Sequence, residues 1–130
     1  MDFIGNMKLL AKQNKKTIVL PEAQDIRIQQ AARKITDEGF AKVLLIGNRE
    51  EISSNVNMED IEIINPETSS YFETFVNHFY ELRKEKGIDI EKASEMMKNS
   101  IYFGTMMVAM GNADGLVAGS ICSTADTLRP

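Results

Sequence analysis

The apolar residues of this chain recur with two periods, and the order in which the periods alternate predicts the elements. Phe3, Met7 and Leu10 lie three and four apart, which predicts a short helix over residues 1–12 with those side chains on one face. Thr17-Ile18-Val19-Leu20 is a β-rich run stopped by Pro21 and reads as a buried strand. Behind Asp25 the pattern turns helical through Ile28, Ala31, Ala32 and Ile35, and Gly39 supplies the stop. Val43 to Ile46, closed by Gly47-Asn48, reads as a second strand. Ile61 to Ile64, closed by Asn65-Pro66, reads as a third.

The longest helix is expected next. Ser70 and Glu73 have capping-box spacing, Phe72, Phe75, Val76 and Phe79 form its apolar stripe, and Gly87 ends it. Asp89 is placed to cap another helix, with Ile88 and Ala93 at the positions of a hydrophobic staple. Ser100 can start a last one, with Phe103, Met106, Met107 and Met110 as its buried face and Gly111 as its stop. Leu116-Val117-Ala118 reads as a fourth, short buried strand. Strand, helix and strand within about 30 residues make a parallel crossover unit. The expected fold class is therefore α/β, a mostly parallel sheet with helices on both faces in three layers.

Residues 119–127 have the look of a loop leading into a helix, which Asp126 or Thr127 would cap and Pro130 would enter. The chain stops there. Residues 1–130 are accordingly read as a truncated product or a partly represented chain.

Composition narrows the class without naming it. A chain of 130 residues, 43% hydrophobic and 26% charged, has ordinary globular balance and can bury a core without disulfides. Its single cysteine, Cys122, closes no intramolecular bridge, which fits a reducing compartment. One histidine and one cysteine do not build the usual zinc site, so no metal is expected. The first sixteen residues lack the uninterrupted apolar segment of a signal peptide, and no run reaches the roughly 18 apolar residues of a membrane span. A net charge of −4 argues against general nucleic-acid affinity, yet leaves local phosphate recognition open. The expectation is a cytoplasmic protein that binds neither nucleic acid nor membrane.

In open α/β sheets ligands sit beyond the carboxyl ends of the strands. Two segments are expected there: Pro21 to Asp25, and Gly119 to Arg129. The second is richer. Gly119 permits close backbone approach, Ser120, Ser123, Thr124 and Thr127 carry hydroxyl donors, and Arg129 carries a planar fork that matches a phosphate. The plainer alternative is a capped helix with a Ser/Thr turn and a surface arginine, and neither the Walker nor the dinucleotide glycine pattern is present. Arg83, four residues after Phe79, continues the apolar stripe of the long helix. It is either a packed stem with a solvated head or a cation aimed into a cleft. Cys122 reads as a small loop residue, His78 as a helix flank, and the methionines at 96, 97, 106, 107 and 110 as core filler.

The octapeptide Ser-Thr-Ala-Asp-Thr-Leu-Arg-Pro at 123–130 closely resembles a signature of the phosphate acetyltransferases. Thr17-Ile18-Val19-Leu20-Pro21-Glu22 resembles that family's first strand and Pro-Glu turn, and Phe79-Tyr80-Glu81-Leu82-Arg83-Lys84 its Tyr-Glu-Leu-Arg segment. Tyr102 to Met107 and Gly111 to Gly115 also match in order and spacing, so the resemblance spans the chain. It implies the N-terminal part of a two-domain α/β enzyme whose active site lies in the cleft between domains. It implies transfer of an acetyl group between coenzyme A and inorganic phosphate, with acetyl-CoA and acetyl phosphate as small-molecule substrates. It implies no tightly bound cofactor and a homodimer at full length. Arg83 and Arg129 match family arginines that bind coenzyme A phosphates, and Ser123, Thr124 and Thr127 are the substrate-binding candidates beside Arg129. The family's principal catalytic serine, arginine and aspartate fall beyond Pro130, so no catalytic residue is assigned within the chain. One departure stands out: many relatives have histidine where Cys122 stands. Two alternatives remain, a sibling acting on butyryl phosphate and a non-catalytic regulatory domain of the kind appended to malic enzymes. The family-like helix directly after Met1 favours a free-standing enzyme.

Overall fold

The structure, a computed structural model, describes residues 3–49, 52 and 56–119. Its strands are β1 (Lys16–Leu20), β2 (Ala41–Ile46), β3 (Glu62–Ile64) and β4 (Gly115–Leu116). They form one parallel sheet in the order β3-β2-β1-β4. Ile18 lies opposite Val43 on one side and Gly115 on the other. The two-residue period sorts the side chains: Val19, Leu44 and Ile46 enter one core, and Leu20, Val43 and Leu45 enter the other. Both faces being covered, the two central strands need no polar side, which is why they read as unbroken apolar runs.

One helix, α2 (Ile26–Glu38), covers the second face, where Ala32 is fully buried among Ile28, Ile35, Met58 and Ile61. The first face is covered by α3 (Phe72–Arg83), α4 (Ile90–Met97) and α5 (Ser100–Ala109). Phe75, Phe79, Met97, Phe103 and Met107 meet there, with the Phe75 and Phe103 rings 4.9 Å apart and tilted by 55°. This is the expected three-layer α/β arrangement.

The predicted caps are partly realised. Asp25 Oδ1 accepts the Arg27 amide at 2.9 Å, and Gly39, at φ 72°, donates its amide to Ile35 O to close α2. Asp89 Oδ1 accepts the Lys92 amide at 2.8 Å, while Ile88 and Ala93 both join the core. The Ser70–Glu73 box does not form. Tyr71 occupies the N-cap of α3 with no side-chain cap bond, because Ser69, not Ser70, turns its hydroxyl oxygen toward the Tyr71 amide at 3.1 Å. At α5 the cap is Asn99 rather than Ser100: its Oδ1 accepts from the Ile101 and Tyr102 amides at 2.8 and 3.4 Å. A 3-10 turn, Lys84–Lys86, separates α3 from its expected stop at Gly87.

Two burial expectations fail and one strand boundary moves. Val117, read into a buried strand, follows β4 and is 58% exposed. Met110 lies past the last turn of α5 and is 38% exposed, while Ile101 takes a place in the buried face. Ile61 is buried but precedes β3. The helix α1 (Phe3–Gln13) forms as expected, and its Phe3, Met7 and Leu10 are exposed. That helix is tethered by an ion pair of Lys8 Nζ with Glu38 Oε1 at 2.9 Å and by the same ammonium lying 5.8 Å from the Phe40 ring centre. An apolar stripe is buried only where a partner surface meets it, and among the described residues nothing covers this one.

Candidate functional site

The strand order places a natural crevice. From β1 the chain moves outward through β2 to β3, then returns across the sheet to β4 on the other side of β1. The order therefore reverses between β1 and β4, and in open sheets the carboxyl ends of such a strand pair form the ligand crevice. The residues at those ends are Pro21 to Asp25 and Val117 to Gly119.

Both segments are firmly held. The Asp25 amide donates to Glu22 O at 3.0 Å, and the buried Gln29 side chain donates from Nε2 to Ala23 O at 2.6 Å. On the other strand Asp114 and Thr17 bind reciprocally: Asp114 N donates to Thr17 O, and Thr17 N to Asp114 Oδ2, each at 2.8 Å. One rung further, Val117 N donates to Val19 O at 3.0 Å. Gly104 of α5 lies so close to this pair that an added Cβ would sit 2.9 Å from Leu116 Cδ1 and 3.0 Å from Val19 Cγ1, so the helix presses β1 and β4 together.

The two loops meet through Glu22. This carboxylate is 2% exposed, and its Oε1 accepts the backbone N–H of Gly119 at 2.7 Å. Gly119 has φ 113°, a region that favours glycine. Beside them, Asp25 grips the Arg27 guanidinium, Nη2 to Oδ2 at 2.7 Å, with the arginine side chain 70% exposed and the aspartate only 7%. The hydrogen bond to Asp25, and secondarily its charge, raise the Arg27 pKa. Arg27 is a cation held at the crevice rim. Asp25 also caps α2, so that helix's leading amide is already served from within the protein.

Arg83 stands elsewhere. It ends α3, half-buried, with its guanidinium carbon 5.8 Å from the Phe79 ring centre. It faces a pocket of about 80 Å³ lined by Phe79, Met97, Tyr102 and Met106, all from α3, α4 and α5. Among the described residues no carboxylate pairs with it. The packed stem is the one the sequence suggested. Among the described residues, neither the loop after β1 nor the segment after β4 lines that pocket.

Arg129, Ser123, Thr124 and Thr127, with Ser120 and Cys122, lie outside the described residues. Gly119, where the description ends, is the residue Glu22 holds. The sequence reading passed over Glu22 and Arg27 as functional candidates. A single acid after a strand-ending proline carries no signal of its own, and only the contact with Gly119, 97 residues away, reveals it. Among the described residues no group of histidine, cysteine, aspartate or glutamate could hold a metal ion, and no helix is long and apolar enough to cross a membrane.

Fold and site define a class: an open parallel α/β domain with a ligand crevice at the reversal of strand order and arginine cations at two places on its surface. The sequence pattern of the phosphate acetyl/butaryl transferase family matches residues 2–130, and the chain belongs to that family. It is 50% identical to a phosphate acetyltransferase of Thermoanaerobacterium thermosaccharolyticum and 47% identical to one of Acetivibrio thermocellus, with 100% of this chain and 40% of each relative covered. Among solved structures it superposes on a phosphotransacetylase from Streptococcus pyogenes with TM-score 0.89 at 35% identity. On the EutD phosphotransacetylase from Staphylococcus aureus it gives 0.87 at 34%, with 100% of this chain and 42% of the solved chain covered in both cases. The chain thus spans about two-fifths of the length of these relatives and corresponds to their N-terminal part.

Proposed function

We propose that the full-length protein transfers an acetyl group between coenzyme A and inorganic phosphate, and that residues 1–130 supply part of the coenzyme A site. The observation that carries this reading is the junction of the β1 and β4 loops through Glu22 and Gly119, four residues before the Ser123–Arg129 segment. In the proposed site Arg129 grips phosphate oxygens as a two-pronged donor, with Ser123, Thr124 and Thr127 adding hydroxyl donors. Arg83, with no carboxylate partner among the described residues, is a second cation for a coenzyme A phosphate. In the reaction the coenzyme A thiolate attacks the acetyl phosphate carbonyl and phosphate leaves, while cationic and hydrogen-bonding groups stabilise the developing charge. The base that takes the thiol proton, and the other catalytic groups, belong to the part of the protein beyond Pro130. That part completes a two-domain enzyme with the cleft between its domains. The enzyme is cytoplasmic and homodimeric, with coenzyme A as a substrate and no tightly bound cofactor.

The family description covers butyryl as well as acetyl transfer. The test is a thioester assay of the full-length protein with coenzyme A and either acetyl or butyryl phosphate. Faster turnover of acetyl phosphate is expected. Preference for butyryl phosphate would move the protein to the sibling activity, and binding of coenzyme A without turnover of either would make it a non-catalytic module.

A further inference from the structure

Glu22 is 2% exposed, and burying a charge is costly unless it is bonded. Its Oε1 lies 2.7 Å from the Gly119 nitrogen, the short separation of a charge-assisted bond. The bond also has a place in a series. Asp114 N reaches Thr17 O, Val117 N reaches Val19 O, and Gly119 N then reaches the Glu22 side chain. The carboxylate thus extends the ladder that binds the outgoing chain to β1 beyond the last backbone rung. Gly119 has φ 113° and open space around its Cβ position, so no side-chain packing holds it there.

We infer that Glu22 is a positioning residue for the coenzyme A loop. Its carboxylate sets the point and direction at which the chain leaves β4, and so where Arg129 meets the substrate. This rests on the role given to Arg129 above. Glu22 touches no reacting atom in this assignment and acts only through the loop.

The test is a double-mutant cycle in the full-length protein, comparing wild type, Glu22→Gln, Arg129→Ala and the double variant. Glutamine keeps the size and an acceptor oxygen but replaces a charged acceptor by a neutral one. The KM for coenzyme A should rise about fivefold in Glu22→Gln, with the KM for acetyl phosphate nearly unchanged. On the Arg129→Ala background the same change should add less than about twofold, because the contact it positions is gone. Equal factors on both backgrounds would mean that Glu22 merely supports the fold, and would overturn the inference. If Arg129→Ala weakens coenzyme A while Glu22→Gln does not, the inference falls alone. If Arg129→Ala has no effect, the reading of the loop falls and takes the inference with it. Should Glu22→Gln fail to fold, Glu22→Asp, which keeps the charge on a shorter arm, takes its place in the cycle. A rise in the KM for coenzyme A that vanishes on the Arg129→Ala background supports the inference, and equal factors on both backgrounds overturn it.

Discussion

Arg83→Met separates a structural arginine from one that meets a ligand, because the geometry makes the two outcomes differ in kind. What the substitution removes from the fold is small. The guanidinium stands 5.8 Å from the Phe79 ring centre with no carboxylate partner among the described residues, a contact worth about 0.5–1 kcal/mol where partly solvated. Loss of a cation in the last turn of α3 adds roughly 0.3–1 kcal/mol. Against this, methionine matches arginine in helix propensity, retains the packed stem, and brings a thioether to the Phe79 and Tyr102 rings worth about 0.3–1.5 kcal/mol. The net change in stability should stay within about 1 kcal/mol, a shift in Tm of about 2–4 °C. Binding should behave differently. A lost charge-assisted phosphate contact is worth about 1.5–3 kcal/mol, or roughly ten- to hundred-fold in affinity. The assay is calorimetric titration of the full-length variant with coenzyme A and with an analogue lacking one phosphate, next to its thermal midpoint. Weakened coenzyme A at unchanged Tm, with a smaller loss for the analogue, is the expected result. Equal losses for both ligands, or none for either, would refute the assignment of Arg83.

Other consequences of the structure can be checked on stability alone. Phe103→Ala, at a fully buried ring between α3 and the sheet, should destabilise by about 3–5 kcal/mol in a denaturant titration. The Glu38 carboxyl is held below its ordinary value, first by its hydrogen bond with Lys8 and then by the charges of Lys8 and Lys34. A depressed carboxyl contributes stability above its unfolded pKa and loses it as pH falls through the folded one. The tether of α1 should therefore hold near neutrality and release as pH falls through and below the ordinary carboxylate range, more readily in high salt. Limited proteolysis near residues 13–15 should accelerate on acidification in wild type. In Glu38→Gln it should already be fast at neutral pH.

What was legible in the sequence follows physical scale. Val19, Leu20 and Val43 to Ile46 are buried and divide between the two cores, so their strands announce themselves as apolar runs. Asp25, Gly39 and Asp89 act on their own neighbours and were readable for that reason. The failures were local competitions between near-equivalent groups, with Asn99 displacing Ser100 and Ser69 displacing Ser70. The stripe of α1 was read correctly as amphipathic, but periodicity says nothing about whether a surface is present to receive it. At the site, the segment after β4 stood out by its hydroxyls and Arg129, whereas Glu22 could not, since its importance lies in one bond spanning 97 residues.

The central claim is that coenzyme A phosphates bind at the carboxyl ends of β1 and β4, and a crystal structure of the full-length protein with coenzyme A tests it most directly. A coenzyme A phosphate should lie within hydrogen-bond distance of Arg129, in the crevice bounded by residues 22–25 and 117–119, with the Glu22–Gly119 bond intact. Coenzyme A bound wholly away from that crevice, with Arg129 free of it, would contradict the account.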